Sequence, residues 1–168
     1  HEMPHGEAGE ICIKGPQVMQ GYWNRPDATA EGMTDDGFFK SGDIGLFTPD
    51  GLLKIVDRKK DMILVSGFNV FPNEVEEVVA AMPGVMEAAC VGVPDDKFGQ
   101  AVTAVYTTST GQPADAENLK SHVRERIAAY KAPRHYVWVS KLDRAVNGKA
   151  DYKTAKRLAY EALGHALE

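Results

Sequence analysis

The chain has no apolar run near the roughly 20 residues that a membrane-spanning helix needs. Its start, His1-Glu2-Met3-Pro4-His5, does not pair a basic stretch with an apolar one, so it does not read as a secretory signal. Position 1 is not Met, and the expectation is a piece of a longer protein. Cysteine is scarce. Cys12 and Cys90 lie far apart in strand-like settings, neither with a His or Cys at metal-ligand spacing, which argues against a disulfide framework or a zinc site. Both are expected to be buried, reduced thiols, which suits a cytoplasmic location. Internal repeats and low-complexity tracts are absent. Positive charge is not in excess: the net charge is −5, against general nucleic-acid binding.

What is present is ordinary for a soluble globular protein, 43% apolar and 26% charged over 168 residues, enough for one domain or two small ones. The charge is unevenly placed. Residues 1–119 carry a net −11 and residues 120–160 a net +8. A basic segment of this kind is either a solvated helix face or a local anion site for a nucleotide or phosphate, and both readings stand.

Residues 1–57 read as short antiparallel strands with tight turns. Strands are expected at 10–14, 38–40, 44–47 and 52–56, with a short helical turn at 27–31. Ser41-Gly42-Asp43 is expected to be a turn, and Thr48-Pro49-Asp50-Gly51 a hairpin turn, since Pro presets φ and Gly accepts positive φ. Such a set encloses little core. A charged junction, Asp57-Arg58-Lys59-Lys60-Asp61, separates the apolar runs 52–56 and 62–65. It reads either as the solvated turn of a hairpin between those runs or as a place where the chain can bend without disturbing a core.

From 62 onward the character changes. A helix begins at Pro72, where the missing N–H costs nothing, and Val75, Val78, Val79 and Met82 make one buried face before Pro83-Gly84. Strands follow at 85–93 and 101–108. A helix from 116 to about 130, capped by Asp115, presents Leu119, Val123 and Ile127. A strand at 136–139, a loop at 143–150 and a helix capped by Asp151 and ended by Gly164 complete an α+β domain of common size.

Three groups of residues carry possible chemistry. In Ser41-Gly42-Asp43, the glycine lets backbone approach a ligand and the carboxylate can accept hydrogen bonds from a ribose diol. In 57–61, Arg58 can fork onto sugar or phosphate oxygens. Asn147-Gly148-Lys149 is a turn that presents an ammonium at a loop tip. Taken singly, each is more simply a solvated turn.

Taken in order and spacing, the three resemble the adenylate-forming superfamily of acyl-CoA synthetases, luciferases and peptide-synthetase adenylation domains, with the fatty acyl-CoA ligases most similar. Ser41-Gly42-Asp43 stands for the family's Thr-Gly-Asp, with a hydroxyl kept. Asp57-Arg58-Lys59-Lys60-Asp61 stands for its Asp-Arg-x-Lys-Asp junction. Ser66-Gly67-Phe68-Asn69-Val70, the helix start at Pro72, Glu74 and Glu77, the stretch Lys131-Ala132-Pro133-Arg134, and Asn147-Gly148-Lys149 followed by Ala150-Asp151-Tyr152 also fit. Gln100 stands where the family commonly has Glu. The family's Ser/Thr/Gly-rich phosphate loop and its Tyr-Gly-x-Thr-Glu motif do not occur in the chain.

The resemblance implies the end of a large adenylation domain at 1–57, a hinge at 58–61 centred on Lys60, and a small C-terminal AMP-binding-enzyme domain at 62–168, a short mixed sheet with three helices. It implies an AMP-forming acid–thiol ligase that uses ATP, Mg2+ and CoA on a carboxylic acid, most simply a fatty acid. Asp43 and Arg58 would bind the nucleotide, Lys149 would be catalytic, and Ser66, Gly67 and Phe68 would border the pantetheine of CoA. ATP and its Mg2+ would be held mainly by the large N-terminal domain, so this chain alone would be inactive. The alternatives are a ligase that loads a carrier protein and a non-catalytic interaction module of the same fold. Strand edges within 1–57 would permit self-association.

Overall fold

In a computed structural model, the chain divides into two compact units, residues 1–60 and residues 61–168. The structure describes residues 2–144 and 150–166.

In the first unit, β1 (Gly9–Ile13), β2 (Phe39–Phe47) and β3 (Leu53–Arg58) form an antiparallel sheet in that order. The turn at 48–51 closes β2 onto β3 as expected, with the Gly51 N–H donating to the Thr48 carbonyl at 2.9 Å. A six-residue helix, α1 (Pro26–Glu31), has Pro at its start. Ser41-Gly42-Asp43 is not a turn between two strands, because β2 runs straight through it. Glu10 faces Ile44 and Cys12 faces Lys40, so these three residues stand against Ile11 alone. They form a bulge, with Gly42 at φ +75°, a conformation open to glycine and costly for most residues. The expected burial of Cys12 is also corrected. Cys12 and Ile13 project to opposite faces of β1 and both are exposed, since neither face is covered at that end.

The second unit holds β4 (Ile63–Val65), β5 (Phe68–Val70), β6 (Val85–Asp95), β7 (Gly99–Thr108) and β8 (His135–Trp138). Its helices are α2 (Pro72–Ala80), α3 (Ala116–Arg124) and α4 (Tyr152–Leu163). The sheet runs β5-β4-β7-β6, with β8 parallel to β7 and the other pairs antiparallel. The mixed sheet and three helices are the expected α+β arrangement. The two apolar runs beside the charged junction do not form a hairpin with each other. One becomes β3 of the first sheet and the other β4 of the second, joined by a single 3-10 turn at Lys59–Asp61.

Burial along β7 is almost unbroken because both of its faces are covered. Val102, Ala104 and Tyr106 pack with Val75 and Val79 of α2 and Leu119 and Val123 of α3. Ala101 and Val105 face Ala155, Ala159 and Tyr160 of α4. Pro72 opens α2, and the helix ends at Ala80, before the expected Met82. The Asp115 carboxylate accepts the Asn118 N–H at 2.8 Å, as its capping role predicts. α3 stops at Arg124 rather than near 130. Beyond it Lys131 is committed to Glu74 and Tyr130 to Phe68, and these tertiary contacts outweigh the helical preference of the Ala-rich stretch. α4 is capped by Asp151, which accepts the Lys153 N–H at 3.1 Å, and ends at Gly164 with φ +73°.

Candidate functional site

The β2–β3 pairing sets Asp43 opposite Arg58, with a register shift in the ladder immediately beyond them. The Arg58 Nε lies 3.5 Å from an Asp43 carboxylate oxygen, and the two side chains are 63% and 33% exposed. A pair this open to water contributes only about 0.2–1 kcal/mol, so a polyhydroxyl ligand can displace it at little cost. The Ser41 hydroxyl accepts the Asp43 N–H at 3.1 Å and steadies the bulge. Asp57, by contrast, is not part of a solvated run. It is 5% exposed, and its carboxylate accepts the Arg58 N–H at 2.8 Å, which ties the backbone of Arg58 down and leaves its side chain outside. Lys59 pairs with Glu10 at 2.7 Å. Lys60 is exposed, in a 3-10 turn that buries none of its residues.

In the second unit Ser66, Gly67 and Phe68 come together at a hairpin tip. Val65 faces Phe68, and Ser66 and Gly67 between them have φ of +50° and +84°. Two positive φ values in a two-residue loop match the right-handed twist of the strands that they join. The Ser66 N–H donates to the Phe98 carbonyl at 2.8 Å. Phe68, 59% exposed, lies against Tyr130 with ring centroids 5.1 Å apart. The Arg134 guanidinium sits 3.7 Å from the Phe98 ring centroid, and Lys131 holds Glu74 through both carboxylate oxygens, at 2.7 and 2.6 Å. The tip is therefore exposed but seated on fixed neighbours. A Cβ at Gly67 would meet no atom within 4 Å, so Gly67→Ala carries a conformational cost alone, about 1–2 kcal/mol. The expected result is a drop in melting temperature of about 4–8 °C per kcal/mol in a domain of this size, read by circular dichroism.

Six of the eleven cations of the basic segment are paired with carboxylates of the chain. Lys120, Arg126, Lys131, Lys141, Arg144 and Arg157 each meet a carboxylate. Cys90 is fully buried, and burial together with the nearby Glu76 carboxylate pushes its thiol well above the usual range, so it is no nucleophile. Burial likewise raises the Tyr136 hydroxyl to about 12. Among the described residues, no group of three or more His, Cys, Asp or Glu could hold a metal ion, and no helix is long and apolar enough to cross a membrane.

Lys149 lies outside the described residues, as do its neighbours from 145. The residues on either side are described. Arg144 and Ala150 form an antiparallel bridge, and the Asp151 N–H donates to the Asp143 carbonyl at 2.9 Å. Sequence reasoning gave Glu76 only a part, with Glu74 and Glu77, in complementing the positive end of the helix dipole, and gave Tyr152 no role beyond its fit to the family. The Tyr152 hydroxyl donates to Glu76 at 2.7 Å, and the same carboxylate oxygen accepts the Cys90 N–H at 2.8 Å. Glu76 sits among acidic residues at a helix start, and nothing in that pattern separates it from Glu74 or Glu77.

Residues 74–149 match the family model for the AMP-binding enzyme C-terminal domain. The chain is 47% identical over 149 residues to a long-chain-fatty-acid–CoA ligase of Escherichia coli O6:H1, covering 89% of this chain and 26% of that protein. It is 43% identical over 147 residues to a feruloyl-CoA synthase of Amycolatopsis sp, covering 88% of this chain and 30% of that protein. Among solved structures it superposes on ATP-bound MatB from Rhodopseudomonas palustris with a TM-score of 0.84 at 38% identity, over 96% of this chain and 32% of that one. The chain thus spans about a quarter to a third of the length of these relatives. Residues 74–149 thus carry the AMP-binding enzyme C-terminal domain, and most of the chain is similar to a part of acyl-CoA-forming ligases and of an ATP-binding relative.

Proposed function

We propose that this chain is the C-terminal portion of an ATP-dependent, AMP-forming acyl-CoA ligase. The observation that carries the reading is the placement of Asp43 against Arg58 by a bulged, glycine-kinked strand. A half-buried carboxylate and an exposed guanidinium side by side can take the two hydroxyls of a ribose. In the first half-reaction the substrate carboxylate attacks the α-phosphorus of ATP, and the bond to pyrophosphate breaks. Lys149 supplies the ammonium that meets the charge developing on the α-phosphoryl oxygens and screens them from the attacking carboxylate. In the second, the CoA thiol attacks the acyl carbon and AMP leaves. The Ser66–Phe68 hairpin borders the pantetheine, with Phe68 and Tyr130 offering an apolar wall.

We take residues 1–57 as the end of a large domain, 58–61 as a hinge and 62–168 as the small domain that turns about Lys60. A short, unburied turn can absorb backbone change at little cost, which supports the hinge. ATP binding by a relative supports the nucleotide. CoA and Mg2+ follow from the reaction class, with Mg2+ arriving on the phosphates of ATP and held mainly by the large N-terminal domain. The fatty-acid ligases among the relatives favour a fatty acid, and the free thiols favour the cytoplasm.

The test uses the full-length protein. It should release AMP and pyrophosphate in equal amounts only when ATP, a carboxylic acid and CoA are all present, faster with a long-chain fatty acid than with ferulate. Thioester on a phosphopantetheinyl carrier protein but none on CoA would overturn the assignment of the acceptor. No acid-dependent pyrophosphate release would overturn the reaction.

A further inference from the structure

The residues on either side of 145–149 are anchored to one small region of the second unit. On the near side, Arg144 forms an ion pair with Glu87 of β6. On the far side, Tyr152, the first residue of α4, donates its hydroxyl to Glu76 of α2 at 2.7 Å. Between the two anchors, Arg144 bridges Ala150 and Asp151 returns a backbone hydrogen bond to Asp143. β6 is the edge strand of its sheet, so the backbone N–H groups on its outer side have no neighbouring strand to take them. Glu76 takes one of them, that of Cys90, at 2.8 Å with the same oxygen that receives the tyrosine. The residues around Glu76 on α2, Val75 and Val79, are fully buried, so the helix offers a rigid platform. One carboxylate therefore joins a strand edge, a core helix and the start of α4, three residues after Lys149.

We propose that Glu76 is a positioning residue. Through the Tyr152 hydroxyl it fixes the root from which Lys149 extends during acyl-adenylate formation. This rests on the role given to Lys149 above. A catalytic ammonium keeps its reach only if the residues flanking it keep their place, and a misplacement near 1 Å can cost about 100-fold in a reaction step. The effect of Glu76 is carried by Tyr152.

The experiment uses the full-length enzyme and four variants, Glu76→Ala, Glu76→Gln, Tyr152→Phe and Lys149→Ala. Each is measured for single-turnover acyl-adenylate formation, for thioester formation from supplied acyl-adenylate, and for melting temperature. Tyr152→Phe and Glu76→Ala should each slow adenylation about 10- to 100-fold at saturating ATP and leave the thioester step within about twofold. Glu76→Gln keeps an oxygen that accepts both hydrogen bonds and should restore most of the rate. The double variant Glu76→Ala with Tyr152→Phe should be no slower than Glu76→Ala alone, because both remove one link.

A melting shift with both half-reactions intact, or equal slowing of both, would overturn the positioning role. Tyr152→Phe removes a single oxygen and decides the matter even if Glu76→Ala does not fold. If Lys149→Ala slows adenylation selectively and Tyr152→Phe does not, this inference alone falls. If Lys149→Ala has no selective effect, the functional reading falls and takes this inference with it.

Discussion

Lys149→Ala in the full-length enzyme should slow acyl-adenylate formation by roughly 10²–10³-fold, the equivalent of about 2.7–4 kcal/mol of lost transition-state stabilisation. Thioester formation from supplied acyl-adenylate should be nearly unchanged. The asymmetry follows from the chemistry and from the proposed turn about Lys60. In the first half-reaction charge gathers on the α-phosphoryl oxygens and the departing pyrophosphate, where an ammonium is most useful. In the second, charge gathers on the tetrahedral acyl oxygen and the departing AMP, but the proposed turn has by then carried Lys149 away from both. Lys149→Arg should not restore the rate, because a planar fork on a stiffer group does not replace a compact charge on a flexible stem. Rapid-quench measurement of each half-reaction separates the outcomes. Equal slowing of both would assign Lys149 a general structural role instead.

The second large effect concerns folding. Residues 61–168 expressed alone should fold and unfold cooperatively, whereas residues 1–60 alone should show no cooperative transition. Among the described residues, Ile44 is the single buried apolar side chain of the first unit, and Trp23 and Ile55 are 90% and 63% exposed. The second unit holds the rest of the core, on both faces of β7. An isolated three-stranded sheet with uncovered faces buries too little to offset its conformational entropy, and sixty residues are marginal even with a proper core. Urea titration followed by circular dichroism should give a single sigmoid for 61–168, with a slope of about 1–3 kcal/mol per molar. A sigmoid of the same kind for 1–60 would show that its sheet stands on its own.

Much of this protein was legible because its local signals are strong. Pro72 at a helix start, Asp115 and Asp151 as caps, Gly164 as a stop, and the valine spacing of α2 each rest on backbone chemistry within a few residues, and each was found where expected. The errors have a common cause. Ser41-Gly42-Asp43 has the composition of a turn, but β1 on one side and β3 on the other hold it in a strand, and only the register shows the bulge. The stretch after Arg124 has the composition of a helix, but Glu74 and Phe68, distant in sequence, claim Lys131 and Tyr130. Cys12 alternates like a core residue but lies on a sheet with no cover at that end.

By itself the sequence determined the family, the α+β class and the residue types that could handle a ribose, a phosphate and a thiol, because motif order and short-range periodicity are properties of the chain. The tertiary structure alone decided which of those residues meet. Asp43 faces Arg58 because a strand bulges, Asp57 is buried while its charged neighbours are not, and Glu76 rather than Glu74 or Glu77 receives Tyr152. Hydrogen bonds and ion pairs between groups many residues apart depend on how strands register and helices pack, and no local pattern records that.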